Sequence, residues 1–238
     1  MSESAPQDFI DRSRDLFRDA MGLQKVELDR EIEHVEVESG RLDLEVYQAD
    51  RLEKLVLSSI HIAKTGVVES SVLIWPAGGF DLPIYWTNLT QIPHVMTVPI
   101  FDFIPLVDVS VWPEYITDHM QGVAGLKAKA FEVLGDTVLD KALDLPSPVT
   151  YAMSPHKIVA RISAEGGARV PEIAGLYARE YTAIWERAKL LPAGPRRDFS
   201  ERKNAALKKL MRANDPGYPH MIGAFGKELT DRVFDAVF

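Results

Sequence analysis

From Val35 to Tyr47 apolar and polar residues alternate, and this period of two constrains the chain more than any other feature. Val35 and Val37 alternate with Glu36 and Glu38, and Leu42, Leu44 and Val46 with Asp43, Glu45 and Tyr47. Ser39-Gly40 between them predicts a hairpin turn. Leu55–Ala63, Val72–Trp75 and His94–Ile104 continue as strands, with Lys64–Gly66 as a break. Strands joined by such short links pair antiparallel. On either side the period becomes helical. Phe9–Leu23, Pro171–Leu190 and Phe225–Phe238 each predict a helix, and Glu114–Leu134 predicts one or two. Lys157–Ile162 reads as one more strand. Asp198, with Glu201 three residues on, predicts a capping box at the start of another helix. The expected class is α/β: a three-layer α/β/α sandwich whose central, mainly antiparallel sheet is flanked by helices. The proline-bearing stretches Leu143–Thr150 and Leu191–Arg197 are the only candidate linkers. Neither separates two self-sufficient patterns, so residues 1–238 are expected to form one domain.

Several kinds of chemistry are absent. With no cysteine, the chain has no disulfide, thiolate metal site, iron–sulfur ligation or cysteine nucleophile. Its 238 residues suffice to bury a core without such staples. Gly78-Gly79 and Gly223–Gly226 lack the spacing of a nucleotide-phosphate loop. None of the six histidines pairs at zinc-site spacing, so no metal is expected. No apolar run approaches the roughly 18–20 residues that span a bilayer, and Met1–Asp8 is polar and acidic. A cytoplasmic location without a membrane partner is therefore expected. A net charge of −8 argues against nucleic acid. The charge is uneven: nine lysines and arginines lie between Arg187 and Arg212, against only Asp198 and Glu201, a local +7. The stretch is either a solvated helix face or a docking patch for an acidic partner.

Three stretches carry a resemblance. The first runs Ile60-His61-Ile62-Ala63-Lys64, then Ser71–Pro76, then Phe80-Asp81-Leu82-Pro83-Ile84-Tyr85-Trp86-Thr87-Asn88. The second is Pro99–Pro105 around Asp102, and the third Asn214-Asp215-Pro216 followed by Met221 and Phe225-Gly226. In this order and spacing they resemble the ferredoxin-dependent bilin reductases, which have the red chlorophyll catabolite reductases as distant relatives. A weaker match is Ser154-Pro155 followed by Arg161.

The resemblance implies an oxidoreductase that reduces biliverdin, an open-chain tetrapyrrole, to a phytobilin by alternating electron and proton transfers. Reduced ferredoxin supplies the electrons, with no intrinsic cofactor, and the stretch from Arg187 to Arg212 becomes its dock. Asp215 matches a proton donor of the family. Asn88 stands where the central acid usually lies, as in the phytochromobilin-forming members. His61 and Ser71 replace a glutamate and a histidine that commonly face the pigment, and Arg161 matches a propionate-binding arginine. Tyr85 and Trp86 lie on alternate faces of the site strand, so one of them faces any ligand. Each residue also has a plainer reading. Asp215-Pro216-Gly217 is a strong turn sequence, and Asn88 and Ser71 are ordinary strand polar groups. His61 and Arg161 suit structural hydrogen bonds, and Asp102 suits a role holding a neighbouring loop. Two further functions stay open: reduction of a chlorophyll-derived linear tetrapyrrole, and bilin binding without turnover.

Overall fold

The computed structural model describes residues 4–143 and 147–238. Asp144–Pro146, within the first proline-bearing stretch, and Met1–Glu3 lie outside the described residues. Strands β1 (Gln24–Lys25), β2 (His34–Val37), β3 (Gly40–Ala49), β4 (Leu52–Ile62), β5 (Val67–Pro76), β6 (Ile84–Ile92) and β7 (Met96–Ile104) precede the short strands β8 (Val138–Asp140), β9 (Ile158–Val159) and β10 (Arg161–Ile162). They form one sheet in the order β1-β3-β4-β5-β6-β7-β10-β8, with β2 added beside β3 and β9 beside β7. The paired strands run antiparallel, as the short links require.

Among the described residues seven α-helices accompany the sheet: α1 (Ser4–Met21), α2 (Arg30–Glu33), α3 (Val123–Leu134), α4 (Val170–Arg187), α5 (Pro195–Ala213), α6 (Tyr218–Phe225) and α7 (Lys227–Val237). Alternation along each strand splits the core in two. On one face Leu55, Leu57, Val72, Ile74, Tyr85, Phe101 and Phe103 pack against Phe9 and Phe17 of α1 and Tyr177, Tyr181 and Ile184 of α4. On the other, Leu44, Val46, Val56, Leu73, Trp75, Ile84 and Ile104 meet Leu207 and Met211 of α5, Met221 of α6 and Val233 and Phe234 of α7. The expected α/β/α layering is the observed one.

Element boundaries depart from expectation where backbone chemistry intervenes. The helix expected over Phe225–Phe238 starts at Lys227, after Gly226, whose φ of 82° favours glycine, and a helix that was not expected, α6, precedes it. The region Glu114–Leu134 opens with a five-residue π-turn, Ile116–Met120, before α3 begins. Asp198 does not cap α5. That helix starts three residues earlier, with Pro195 in its first turn, where a missing N–H costs nothing. Glu201 bonds Arg197 instead. The last turn of α7 is tied down from the sheet: Trp75 Nε1 donates to the Val237 carbonyl at 3.0 Å and Lys54 Nζ to that of Ala236 at 2.8 Å. A cation there also suits the negative end of the helix. These bonds fix α7 over the sheet, and open space remains between the sheet and the helices above it.

Candidate active site

That open space is a cavity of two connected lobes, of about 370 and 330 Å³. Glu69, Ser71, Thr90, Asp215 and Pro216 line both. The sheet forms its floor. Ser58, Ile60 and Ile62 of β4, Glu69 and Ser71 of β5, Trp86, Asn88 and Thr90 of β6, and Val98 and Ile100 of β7 all point the same way by alternation. The roof is Met211 and Asn214 at the end of α5, the Asp215-Pro216-Gly217 turn, Met221 of α6, and Val233 and Phe234 of α7. Leu143, Ser147, Val149, Thr150 and Met153 close one side.

Asp102 holds that side wall. Its Oδ2 accepts from the Ser154 backbone N–H at 2.8 Å and its Oδ1 from the Ser154 hydroxyl at 2.5 Å. The carboxyl is buried beneath the loop. Burial pushes it up to about 6, and the Ser154 bonds pull it back. Asp102 thus holds a neighbouring loop, the plainer of its two readings. Its folded value lies above its unfolded one, so its contribution is most favourable at low pH and is lost as pH rises through about 6. Ser154→Ala removes a bond that favours the ionised form. It is expected to lower stability by about 2 kcal/mol, and by more at pH 8 than at pH 5. Urea unfolding at the two pH values checks this.

The polar centre of the cavity is compact. Asn88, buried on β6, donates from Nδ2 to Glu69 Oε1 at 2.8 Å and accepts from the Thr90 hydroxyl at 2.9 Å. Asp215 Oδ1 accepts from the Gly217 N–H at 2.7 Å. The tripeptide is therefore a turn, as its composition requires, and the same turn aims the carboxyl into the cavity. Burial raises Asp215 above the ordinary aspartate range, and the backbone N–H groups of Gly217 and Tyr218 oppose the rise. Glu69 is pushed up to about 7, first by burial and then by the Asp215 charge, while the bond from Asn88 opposes. Glu69 is half-buried and faces the cavity. No lysine or arginine lines either lobe among the described residues.

The structure thus brings Asp215, Asn88, Ser71 and Trp86 to one cavity. Ser71 donates only a long bond to the Thr87 carbonyl, at 3.4 Å. His61, Tyr85 and Arg161 are elsewhere. His61 is exposed on the opposite face of β4, where it lines a surface hollow with Ser59, Arg41 and His94. Its neighbours Ile60 and Ile62 take the cavity side. Tyr85 is fully buried under α1 and α4, with ring centroids 5.3 Å from Phe17 and 5.1 Å from Tyr181. Its strand neighbour Trp86 is the residue that faces the cavity. Arg161 is exposed at a bulge in β10 and lines neither lobe.

The basic stretch is also quieter than its charge count. Arg196 pairs with Asp81 and Glu114, Arg197 with Glu201, Lys208 with Glu53, and Arg212 with Asp235. Lys203 and Arg202 donate to the carbonyls of Val107 and Asp198. Arg187, Lys189 and Lys209 remain exposed without an ion pair among the described residues. Sequence reasoning missed Glu69 altogether. The signal was available: Glu69 lies two residues before Ser71 on one strand, and so on the same face.

No protein-family model matches this sequence, and no curated protein does. The fold defines an α/β/α sandwich with a ligand-sized cavity on one face of an antiparallel sheet. A solved structure shares it: the selenomethionine form of phytochromobilin synthase from tomato, in complex with biliverdin. The match has a TM-score of 0.77, covers 96% of this chain and 80% of that one, and comes with 16% sequence identity. It establishes the fold.

Proposed function

We propose that this chain binds an open-chain tetrapyrrole, biliverdin, and reduces it with electrons delivered singly by reduced ferredoxin. One observation carries the reading: an apolar, two-lobed cavity on the sheet face with the Asp215 carboxyl aimed into its centre. The biliverdin complex of the tomato protein, which has this fold, supports it. A flat pigment would lie on Trp86, Ile60 and Ile100 beneath Met211 and Met221. Asn88 has an amide that can hold pyrrole N–H groups or a lactam carbonyl in register. A two-electron reduction consumes two reduced ferredoxins and two protons per pigment, and Asp215, raised by burial, is suited to donate one of those protons. Because no lysine or arginine lines the lobes among the described residues, the propionates of the pigment would project to solvent rather than into the cavity wall. Arg187, Lys189, Arg202 and Lys209 are the exposed, unpaired charges of the basic stretch, among the described residues, that an acidic ferredoxin would meet.

The test is an absorption spectrum. Biliverdin added to the pure protein should give a shifted bound band. Anaerobic addition of ferredoxin, its reductase and NADPH should replace that band with a new pigment. Its rate under limiting ferredoxin should fall with ionic strength. The amide at Asn88, in place of an acid, favours a second reading, a bilin binder without turnover. A bound band that never changes would establish that one, and failure to bind at all would overturn both.

A further inference from the structure

We infer that Glu69 supplies the central proton that the Asn88 amide cannot, as one half of a carboxyl pair with Asp215 that holds a single proton when the site is empty. The inference deepens the reductase reading and rests on it for its catalytic half.

Glu69 sits where an extended ligand must pass. It lines both lobes, between Ile60 of β4 and Thr90 of β6 in the sheet register. One of its oxygens is occupied, since Oε1 accepts the Asn88 amide. Its other oxygen lies on the side of Asp215: a Cβ placed on Gly217 would lie 3.8 Å from Glu69 Oε2 and 3.0 Å from Asp215 Oδ1, so the two oxygens flank that glycine and are at most 6.8 Å apart. Two carboxylates so placed, in a cavity that no lysine or arginine lines among the described residues, resist double ionisation and titrate as a pair. The titratable groups facing Glu69 are Asp215, from the turn after α5, and His220 on α6. Its sheet neighbours Ser71, Asn88 and Thr90 do not titrate in this range. The direction of both shifts, upward, agrees with one retained proton near neutrality.

The chemistry balances. Ferredoxin gives one electron to the bound pigment. The O–H bond of the Glu69 carboxyl breaks as a C–H or N–H bond forms on the reduced pigment. The resulting carboxylate is then reprotonated from solvent through Asp215. The arrangement explains how a site with an amide at position 88 keeps an acid within hydrogen-bond reach of the same place.

Glu69→Gln tests it, because glutamine keeps the length of the side chain and an oxygen for Asn88. Single-turnover reduction should slow by about 10²–10³-fold with biliverdin affinity within about threefold of wild type. The second readout needs no pigment. A raised folded pKa makes the wild type lose stability as pH climbs from about 4.5 through about 7. Asp102 adds a slope of the same sign, so the comparison is with the variant: Glu69→Gln should melt several degrees above wild type at pH 8 and alongside it at pH 5. Carboxyl carbon NMR of the wild type should show a glutamate titrating near neutrality that Glu69→Gln removes. A variant with wild-type rate overturns the catalytic half. Coincident melting curves at pH 8, with no glutamate carboxyl titrating above about 5, overturn the shared proton. If wild type does not convert biliverdin, the reductase reading fails with the catalytic half, while melting and NMR still decide the pair.

Discussion

Asp215→Asn is expected to leave biliverdin bound and to slow its reduction by a factor of about 10²–10⁴, the usual worth of a positioned general acid. The substitution is close to isosteric. Asparagine keeps an oxygen for the Gly217 N–H, so the turn that shapes the roof survives. What it loses is the proton. Burial holds the Asp215 carboxyl above the ordinary aspartate range, the direction a proton donor at neutral pH needs. Binding titrations followed by absorbance separate the two effects: an unchanged dissociation constant with a slower decay of the bound band is the expected pair of results. An unchanged decay would remove Asp215 from the proton path. Removal of the Asp215 charge also relieves Glu69, which should then titrate lower.

Asp81→Ala is expected to destabilise the fold by about 3 kcal/mol, near the low end for one partner removed from a buried ion pair. In a chain of this length that lowers Tm by roughly 6–12 °C. Asp81 Oδ2 lies 2.7 Å from Arg196 Nη2 and 3.1 Å from His119 Nε2, the latter at an angle that makes no hydrogen bond. Three distant parts of the chain meet there: the β5–β6 connection, the π-turn and the first turn of α5. Without the carboxylate, Arg196 keeps only Glu114, whose side chain is half exposed. Glu114→Ala should therefore cost well under 1 kcal/mol, as exposed pairs do. Similar losses for the two variants, measured by urea or thermal unfolding, would show that Asp81 is not the anchor of this corner.

The basic stretch shows how a count along the chain misleads. Nine basic residues against two acids read as +7. Four of the nine are matched by Glu53, Asp81, Glu114, Glu201 and Asp235, and four of those five acids lie outside the stretch. Likewise His61 was placed at the site by its position along a matched strand. The side-chain period of a strand is two, so a displacement of one residue exchanges the faces. Ile60 and Ile62 went to the cavity and His61 went to the other side. Asp215 was legible both as a turn and as a candidate acid, and the two roles coincide because the turn lies over the cavity rather than on the outer surface.

The alternation from Val35 to Tyr47 and the short-linked apolar runs that follow it to Ile104 determined a large antiparallel sheet, and the helical periods around them determined helices on both faces. Local sterics and hydrogen bonding specify such patterns, and they are written within a few residues. Tertiary structure alone decided that Glu69 and Asp215 share a cavity, that Tyr85 belongs to the core while Trp86 faces the ligand space, and that four of the nine basic residues meet acids. Each of these depends on which segment packs against which face, and that is settled by contacts between residues far apart in the chain.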